Sequence, residues 1–265
     1  MNTEANSAIL FESVGRIAKI TINRPEAMNA VNAQVSFGLK AALDRFAADD
    51  GLWVAVITGQ GDKAFCAGAD LKERAAGAPS TFSVPGSGGI GDLLREICDK
   101  PVIAAVNGYA FGGGMELALW CDLIVAAESA QFALPEVRRG LIAAGGGLLQ
   151  LPRQIPLKTA LYHVMTGEPL TAAKAQEWGL VSQVVPSGQA LSAAMQLAEK
   201  ICANAPLAVR ESKKLVYQSL DVDLYGAKGG WPLSDAAAAR IRESSDSAEG
   251  PRAFAEKRAP QWQGK

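Results

Sequence analysis

The run VIAAVNGYAFGGGMELAL, residues 102–119, decides the architecture. Val102 to Val106 are apolar and rich in β-branched side chains, as in a buried strand, and Gly112, Gly113 and Gly114 then lead directly into a helical pattern. Glycine lets a ligand approach the backbone closely, and the first N–H groups of a helix point outward with the positive end of its dipole. Such a turn suits an anion or a developing oxyanion. Glu116 falls in the first turn of that helix, where the dipole favours a carboxylate and where it reaches whatever the glycines hold. A plain strand-to-helix turn with a charge-matched acid would read the same way, so the run alone leaves both readings open.

Outward from this run, apolar strands alternate with helical patterns. RIAKITI (16–22), Ala33–Ala48, LWVAVIT (52–58), Asp92–Lys100, Pro101–Val106, Gly114–Cys121 and Leu123–Ala127 together predict an α/β architecture. Past Gly188 the pattern turns helical, over Gln189–Ala203, Pro206–Leu220, Ala236–Glu243 and Arg252–Arg258, with GAKGGWP (226–232) as a turn-rich joint. The expected organisation is an α/β core over 1–190 and a helical part over 191–265. Arg74–Asp92, rich in Gly, Pro, Ser and Ala, reads as a long mobile loop. No internal repeat is evident.

Composition excludes several classes. With 265 residues, 49% hydrophobic and 20% charged, the chain buries a large core and is not disordered. Lys and Arg number 26 against 27 Asp and Glu, a net charge of -1, which supplies no basic field for nucleic acid or an anionic membrane. The apolar stretches are far shorter than a bilayer span, and MNTEANSAILFES has neither the basic start nor the apolar core of a secretory signal, so the expected location is the cytoplasm. Cys66, Cys98, Cys121 and Cys202 form no CxxC pair and read as reduced packing residues, with no metal site expected. His163 is the one histidine, too few for a metal cluster and without a nearby acid for a triad, so a structural role is expected. Gly86 to Gly91 match G-x-G-x-x-G, but no buried strand precedes them and no acid follows at the required distance, which rejects a dinucleotide site. Chemistry must come from carboxylates, backbone dipoles and lysines.

Two further pieces carry such groups. AFCAGADLK (64–72) is a second small-residue turn from a strand toward a helix, either another backbone donor or an ordinary loop. AQFALPEV (130–137) places Glu136 after a proline that follows a strand.

Together, in this order and spacing, the three pieces resemble the crotonase superfamily, whose best-known member is enoyl-CoA hydratase. The resemblance runs from ITINRPEAMNAVN (20–32) through VITGQGDKAFCAGADLK (56–72), AAVNGYAFGGGMELALWCDLIVA (104–126) and FALPEVRRGL (132–141) to AEKRAPQW (255–262). It implies a spiral of ββα turns with a helical C-terminal region that trimerises, an acyl-CoA thioester as ligand, and no cofactor beyond the coenzyme A of the substrate. Carried over by residue, the N–H groups of Ala69 and Gly113 form an oxyanion hole around the thioester carbonyl. Glu116 and Glu136 are the catalytic acids, and the backbone of Ala144 lies at the water site. Ala27, Met28, Ala67, Asp70, Leu71, Lys72 and Lys257 contact the substrate or its coenzyme, the lysines as point charges for phosphate.

The match departs from the hydratase pattern at two places. Ala143-Ala144 stand where hydratases often carry Pro-Gly, and Glu26 replaces a lysine at one expected phosphate contact. Both glutamates are kept, which the resemblance reads as reversible hydration of a 2-enoyl-CoA, one acid serving water and the other the α-carbon. Rival readings are a carnitinyl-CoA-like dehydratase or an enoyl-CoA isomerase with the same glutamates, and a non-catalytic acyl-CoA- or RNA-binding member. The implied assembly is a homotrimer or a dimer of trimers, with Trp231 and Trp262 buried against another subunit or the core. The Arg74–Asp92 loop is expected to gate the acyl pocket.

Overall fold

The computed structural model describes residues 7–77, 86–226 and 228–265; residues 78–85 of the expected gating loop lie outside these. The chain opens with a hairpin in which β1 (Ile9–Val14) pairs antiparallel with β2 (Ile17–Ile22). Helix α1 (Ala33–Ala48) follows, begun by Asn32, whose side chain accepts a hydrogen bond from the Val35 amide. It buries Val35, Leu39, Leu43 and Phe46, the spacing of a single helical face.

From there the chain alternates between two sheets. β3 (Val54–Gly59), β5 (Val102–Val106) and β7 (Leu123–Ala127) extend the first sheet in parallel from β2. The short strand after each of them, β4 (Ala64–Cys66), β6 (Tyr109–Phe111) and β8 (Gln131–Ala133), joins a second parallel sheet. A helical turn closes each pass: α2 (Leu71–Ala75) after β4, α4 (Gly113–Trp120) after β6, and a 3₁₀ turn Pro135–Arg139 after β8. The short α3 (Ile90–Leu93) lies between α2 and β5. These are the ββα passes of the expected spiral. Their consequence for function is positional, because the turns that leave β4, β6 and β8 start from adjacent strands of one small sheet.

Helices α5 (Gly147–Gln154), α6 (Leu157–Thr166) and α7 (Ala172–Glu177) come next. β9 (Leu170–Thr171) pairs antiparallel with β8, and β10 (Gln183–Val185) lies parallel beside β7. β3 and β5 are buried along their whole length, which explains their unbroken apolar runs. Phe46, Phe65, Phe132, Ile57 and Ile103 are fully buried, each worth about 1.5–3 kcal/mol relative to exposure.

The chain divides into two compact units, Met1–Cys98 with Val102–Ala198, and Asp99–Pro101 with Glu199–Lys265. After α8 (Ala190–Cys202), the second unit carries α9 (Pro206–Ser219), α10 (Gly230–Arg242) and α11 (Ser245–Ala255). Glu211 of α9 pairs with Arg240 of α10 at 2.6 Å. Asp246 and Glu249 of α11, both buried, take the amides of Gln263, Gly264 and Gln261, which fastens the C-terminal segment to that helix. Trp262 donates to the Ala203 carbonyl at 2.8 Å inside this unit, whereas Trp231 is 57% exposed.

Three sequence-based boundaries are corrected. The helix expected over Asp92–Lys100 is only Ile90–Leu93, because the Asp92 carboxylate turns back to the amides of Gly86 and Gly88 and residues 95–97 are exposed. α10 begins at Gly230, inside the expected joint: Pro232 falls in its first turn, where a missing N–H costs nothing. α11 begins at Ser245 and ends at Ala255, short of Arg258, since Lys257 takes a left-handed conformation with φ 56.

Candidate active site

The turn after β4 is shaped by its link to Val31. The Val31 amide donates to the Gly68 carbonyl at 2.8 Å, and the Asp70 amide donates to the Val31 carbonyl at 2.9 Å. In such a parallel bridge the residue between the two bonds, Ala69, turns its own N–H to the opposite side, and no described residue accepts from it. Gly68 has φ +86, and a Cβ there would lie 2.7 Å from the Phe111 carbonyl oxygen and 3.0 Å from the Gly113 nitrogen. Contact this close, open only to glycine, sets Ala69 beside Gly113.

The second turn follows β6. Gly112 adopts φ 53, ψ −125 and donates to the Ala133 carbonyl at 2.8 Å. Gly113 then begins α4, so its N–H has no intrahelical acceptor. Two backbone amides without an acceptor among the described residues, Ala69 and Gly113, therefore stand on adjacent turns.

Two acids stand against this pair. Glu116, in the first turn of α4 and 4% exposed, accepts from the Gly147 amide at 3.0 Å through Oε1. Glu136 is set by the Pro135–Arg139 turn, and its Oε1 would lie 2.9 Å from a Cβ on Gly112. Its Oε2 is buried with no partner among the described residues. Burial pushes the Glu136 carboxyl up to about 7; its own amide offsets part of this and the negative charge of Glu116 adds to it. Burial also raises Glu116, but the amides of Gly147 and Gly145 hold that rise back. Burial thus favours the protonated form of both acids, with two amides steadying the charge of Glu116 and only its own amide offsetting the burial of Glu136, an asymmetry suited to moving protons on either side of an oxyanion.

Other sequence-derived candidates have structural partners. Met28 (φ 54) accepts from the Ala67 amide at 3.1 Å, and Ala27 ends the 3₁₀ turn Pro25–Ala27. Asp70 caps α2 through the amides of Lys72 and Glu73 and pairs with Arg24 at 3.1 Å. Burial works against its charge, yet the Glu73 amide and the Arg24 guanidinium together hold its carboxyl below the usual range. Leu71 and Lys72 are exposed at the start of α2, and Ala144 is exposed. Lys257 is exposed in the second unit. Glu26 is exposed, 4.0 Å from Arg24.

Three residues that the sequence reading missed frame the first turn and Glu116. Arg24 reaches the Ala30 carbonyl at 2.8 Å as well as Asp70, and buried Asn29 bridges the Arg24 amide to the carbonyls of Gln60 and Ala64. The NRP and AMN stretches were their only signal, and it does not reveal such distant partners. Gly147 is the third, donating to Glu116.

His163 Nδ1 donates to the Glu168 carbonyl at 2.9 Å, and the ring packs against Tyr162 and Trp178, away from both glutamates in role. All four cysteines are thiols rather than disulfides, and burial pushes the Cys66 thiol up to about 12, which removes it as a nucleophile. In the 86–91 glycine segment, Asp92 already occupies the amides an anion would need. Among the described residues, no group of three or more His, Cys, Asp or Glu is placed to hold a metal, and no helix is long and apolar enough to cross a membrane.

Comparison with known proteins agrees with this fold. A family model described as enoyl-CoA hydratase/isomerase matches residues 12–265. A carnitinyl-CoA dehydratase of Salmonella typhi is 42% identical over 257 residues, 95% of this chain and 96% of that protein. A crystal structure of an enoyl-CoA hydratase from Mycobacterium tuberculosis superposes with TM-score 0.91 at 46% identity, covering 98% of this chain and 100% of that one. A carnitinyl-CoA hydratase structure from Mycobacterium avium superposes with TM-score 0.75 at 45% identity, covering 98% and 100%.

Proposed function

The chain belongs to the enoyl-CoA hydratase/isomerase family and is a hydro-lyase, and from that premise we propose that Ala69, Gly113, Glu116 and Glu136 perform reversible addition of water to a 2-enoyl-CoA thioester. The thioester oxygen sits against the N–H groups of Ala69 and Gly113, which stabilise it as it gains enolate charge. Glu116, ionised, takes a proton from a water whose oxygen bonds to C3. The electron pair of the 2,3 double bond moves toward the thioester oxygen. As the enolate collapses, Glu136 delivers a proton to C2, leaving a 3-hydroxyacyl thioester. In reverse, Glu136 removes the C2 proton and Glu116 protonates the departing hydroxyl. The observation that carries this reading is the Glu136 carboxyl set against Gly112, the residue before a free donor, with its Oε2 buried and without a partner among the described residues.

The dehydration direction on a carnitinyl-type thioester uses the same groups and is favoured by the names of the relatives. Ala27, Met28 and Ala67 offer backbone contacts to the coenzyme, with Lys72 and Lys257 as phosphate partners and Ala144 as an amide for the water. Coenzyme A enters with the substrate, and the chemistry needs no other cofactor. Assembly as a trimer, or a dimer of trimers, is supported by the stripe on α6, where Leu157, Leu161, Tyr162 and Met165 are exposed at helical spacing. Turnover of purified protein with crotonyl-, longer 2-enoyl-, 3-enoyl- and carnitinyl-type thioesters tests the reading. Hydration of 2-enoyl thioesters is expected; turnover of 3-enoyl thioesters alone would replace it with isomerisation.

A further inference from the structure

We infer that Gly145 is a positioning residue for Glu116: the side chain it lacks is the space in which the Glu116 carboxylate sits. A Cβ at this position would lie 2.6 Å from Glu116 Oε2, 2.9 Å from its Cδ and 3.2 Å from Oε1. Backbone conformation does not demand the glycine. Within Gly145-Gly146-Gly147 only Gly146 has a left-handed φ, of 106. The nearest atoms at position 145 all belong to one acidic side chain, so that side chain, rather than a turn, explains the missing Cβ.

The opposite side of the carboxyl is fixed by Gly147. Its amide holds Oε1 at 3.0 Å, and its own Cα lies so close that a Cβ there would meet Glu116 Cγ and both Leu134 methyls at 3.0 Å. The stem and one oxygen are therefore held, the Gly145 amide also steadies the carboxylate, and the second oxygen lies in the space that a Cβ at 145 would fill. The three atoms nearest a methyl group at 145 are all side-chain atoms of Glu116, so the crowding falls first on that side chain. The carboxylate moves away from the Gly147 amide. Misplacing a reacting group by about an ångström costs up to about 10²-fold in rate.

This inference rests on Glu116 being the base proposed above, and the test separates the two. Gly145→Ala, Glu116→Asp, their combination and Glu116→Gln are compared for crotonyl-CoA turnover, butyryl-CoA affinity and thermal midpoint. Gly145→Ala is expected to lower kcat at least about tenfold, with butyryl-CoA affinity within about twofold and an unchanged midpoint. Aspartate is one methylene shorter and vacates the crowded space, so adding Gly145→Ala to Glu116→Asp is expected to cost almost nothing further. An equal loss in both backgrounds, or a Gly145→Ala protein that unfolds, overturns the inference, because a merely structural glycine would behave that way. Wild-type kcat in Gly145→Ala beside an inactive Glu116→Gln overturns it alone. Wild-type kcat in Glu116→Gln overturns the base assignment and the inference with it.

Discussion

Replacing Glu136 with Gln should stabilise the protein at alkaline pH while disabling it. Folding carries this carboxyl from its ordinary value of 4.5 up to about 7, chiefly through burial. Between those values the folded protein keeps a proton that the unfolded chain has released, so stability falls as pH rises through the window. Below pH 4.5 both states are protonated and the penalty is absent; above 7 it is present in full. At about 1.36 kcal/mol per tenfold in proton affinity the rise is worth at most about 3.4 kcal/mol, and because the carboxyl is partly open to solvent we take about 2 kcal/mol. Glutamine mimics the protonated form and does not titrate. The variant should therefore gain about 2 kcal/mol over the wild type on going from pH 4.5 to pH 8, which is ~4–8 °C in melting temperature for a chain of this size. Thermal unfolding of both proteins across this range measures it directly. A difference between them that does not change with pH, or that changes in the opposite sense, would refute the burial of Glu136 as a strained acid.

Two other expectations follow from particular contacts. Arg24→Ala removes the partner of Asp70 and of the Ala30 carbonyl, and should lower stability by about 1–3 kcal/mol in urea unfolding, with Arg24→Lys recovering only part because it lacks the guanidinium fork; an unchanged midpoint in Arg24→Ala would contradict this. Met165→Asp, on the exposed stripe of α6, should shift the mass seen by sedimentation from the proposed trimer toward the monomer, and a mass equal to wild type would remove α6 from the assembly face.

The parts of the fold that were legible in sequence are those governed by neighbours in the chain. β3 and β5 announce themselves because every residue in them is buried and nearly all are apolar. β1, with the burial of an edge strand and polar Glu12 and Ser13 along it, carries no such signal and was not anticipated. The ββα passes leave no sequence repeat because β4, β6 and β8 are three residues each, and their register comes from the sheet rather than from any recurring side chain. At the candidate site, the small residues around Ala69 and Gly113 revealed two backbone-facing turns, since bulk is excluded locally. Asp70 was read as a substrate contact, whereas the structure gives its side chain a helix cap and Arg24, a partner 46 positions away. Gly145 and Gly147 carry no local signal of their role; that they bracket Glu116 depends on α4 and α5 meeting in space.

The central claim is that two acids share one hydration, and the most direct test is kcat for Glu116→Gln and Glu136→Gln, measured beside the affinity of each for butyryl-CoA. Each change keeps the shape of the side chain and removes its proton transfer. We expect each to lose at least about 10²-fold in kcat with thioester affinity nearly unchanged, and the double variant to lose much less than the product, because both acids act on one water and one proton path. Near-normal hydration by Glu136→Gln alongside an inactive Glu116→Gln would contradict the account and leave a single-base reaction in its place.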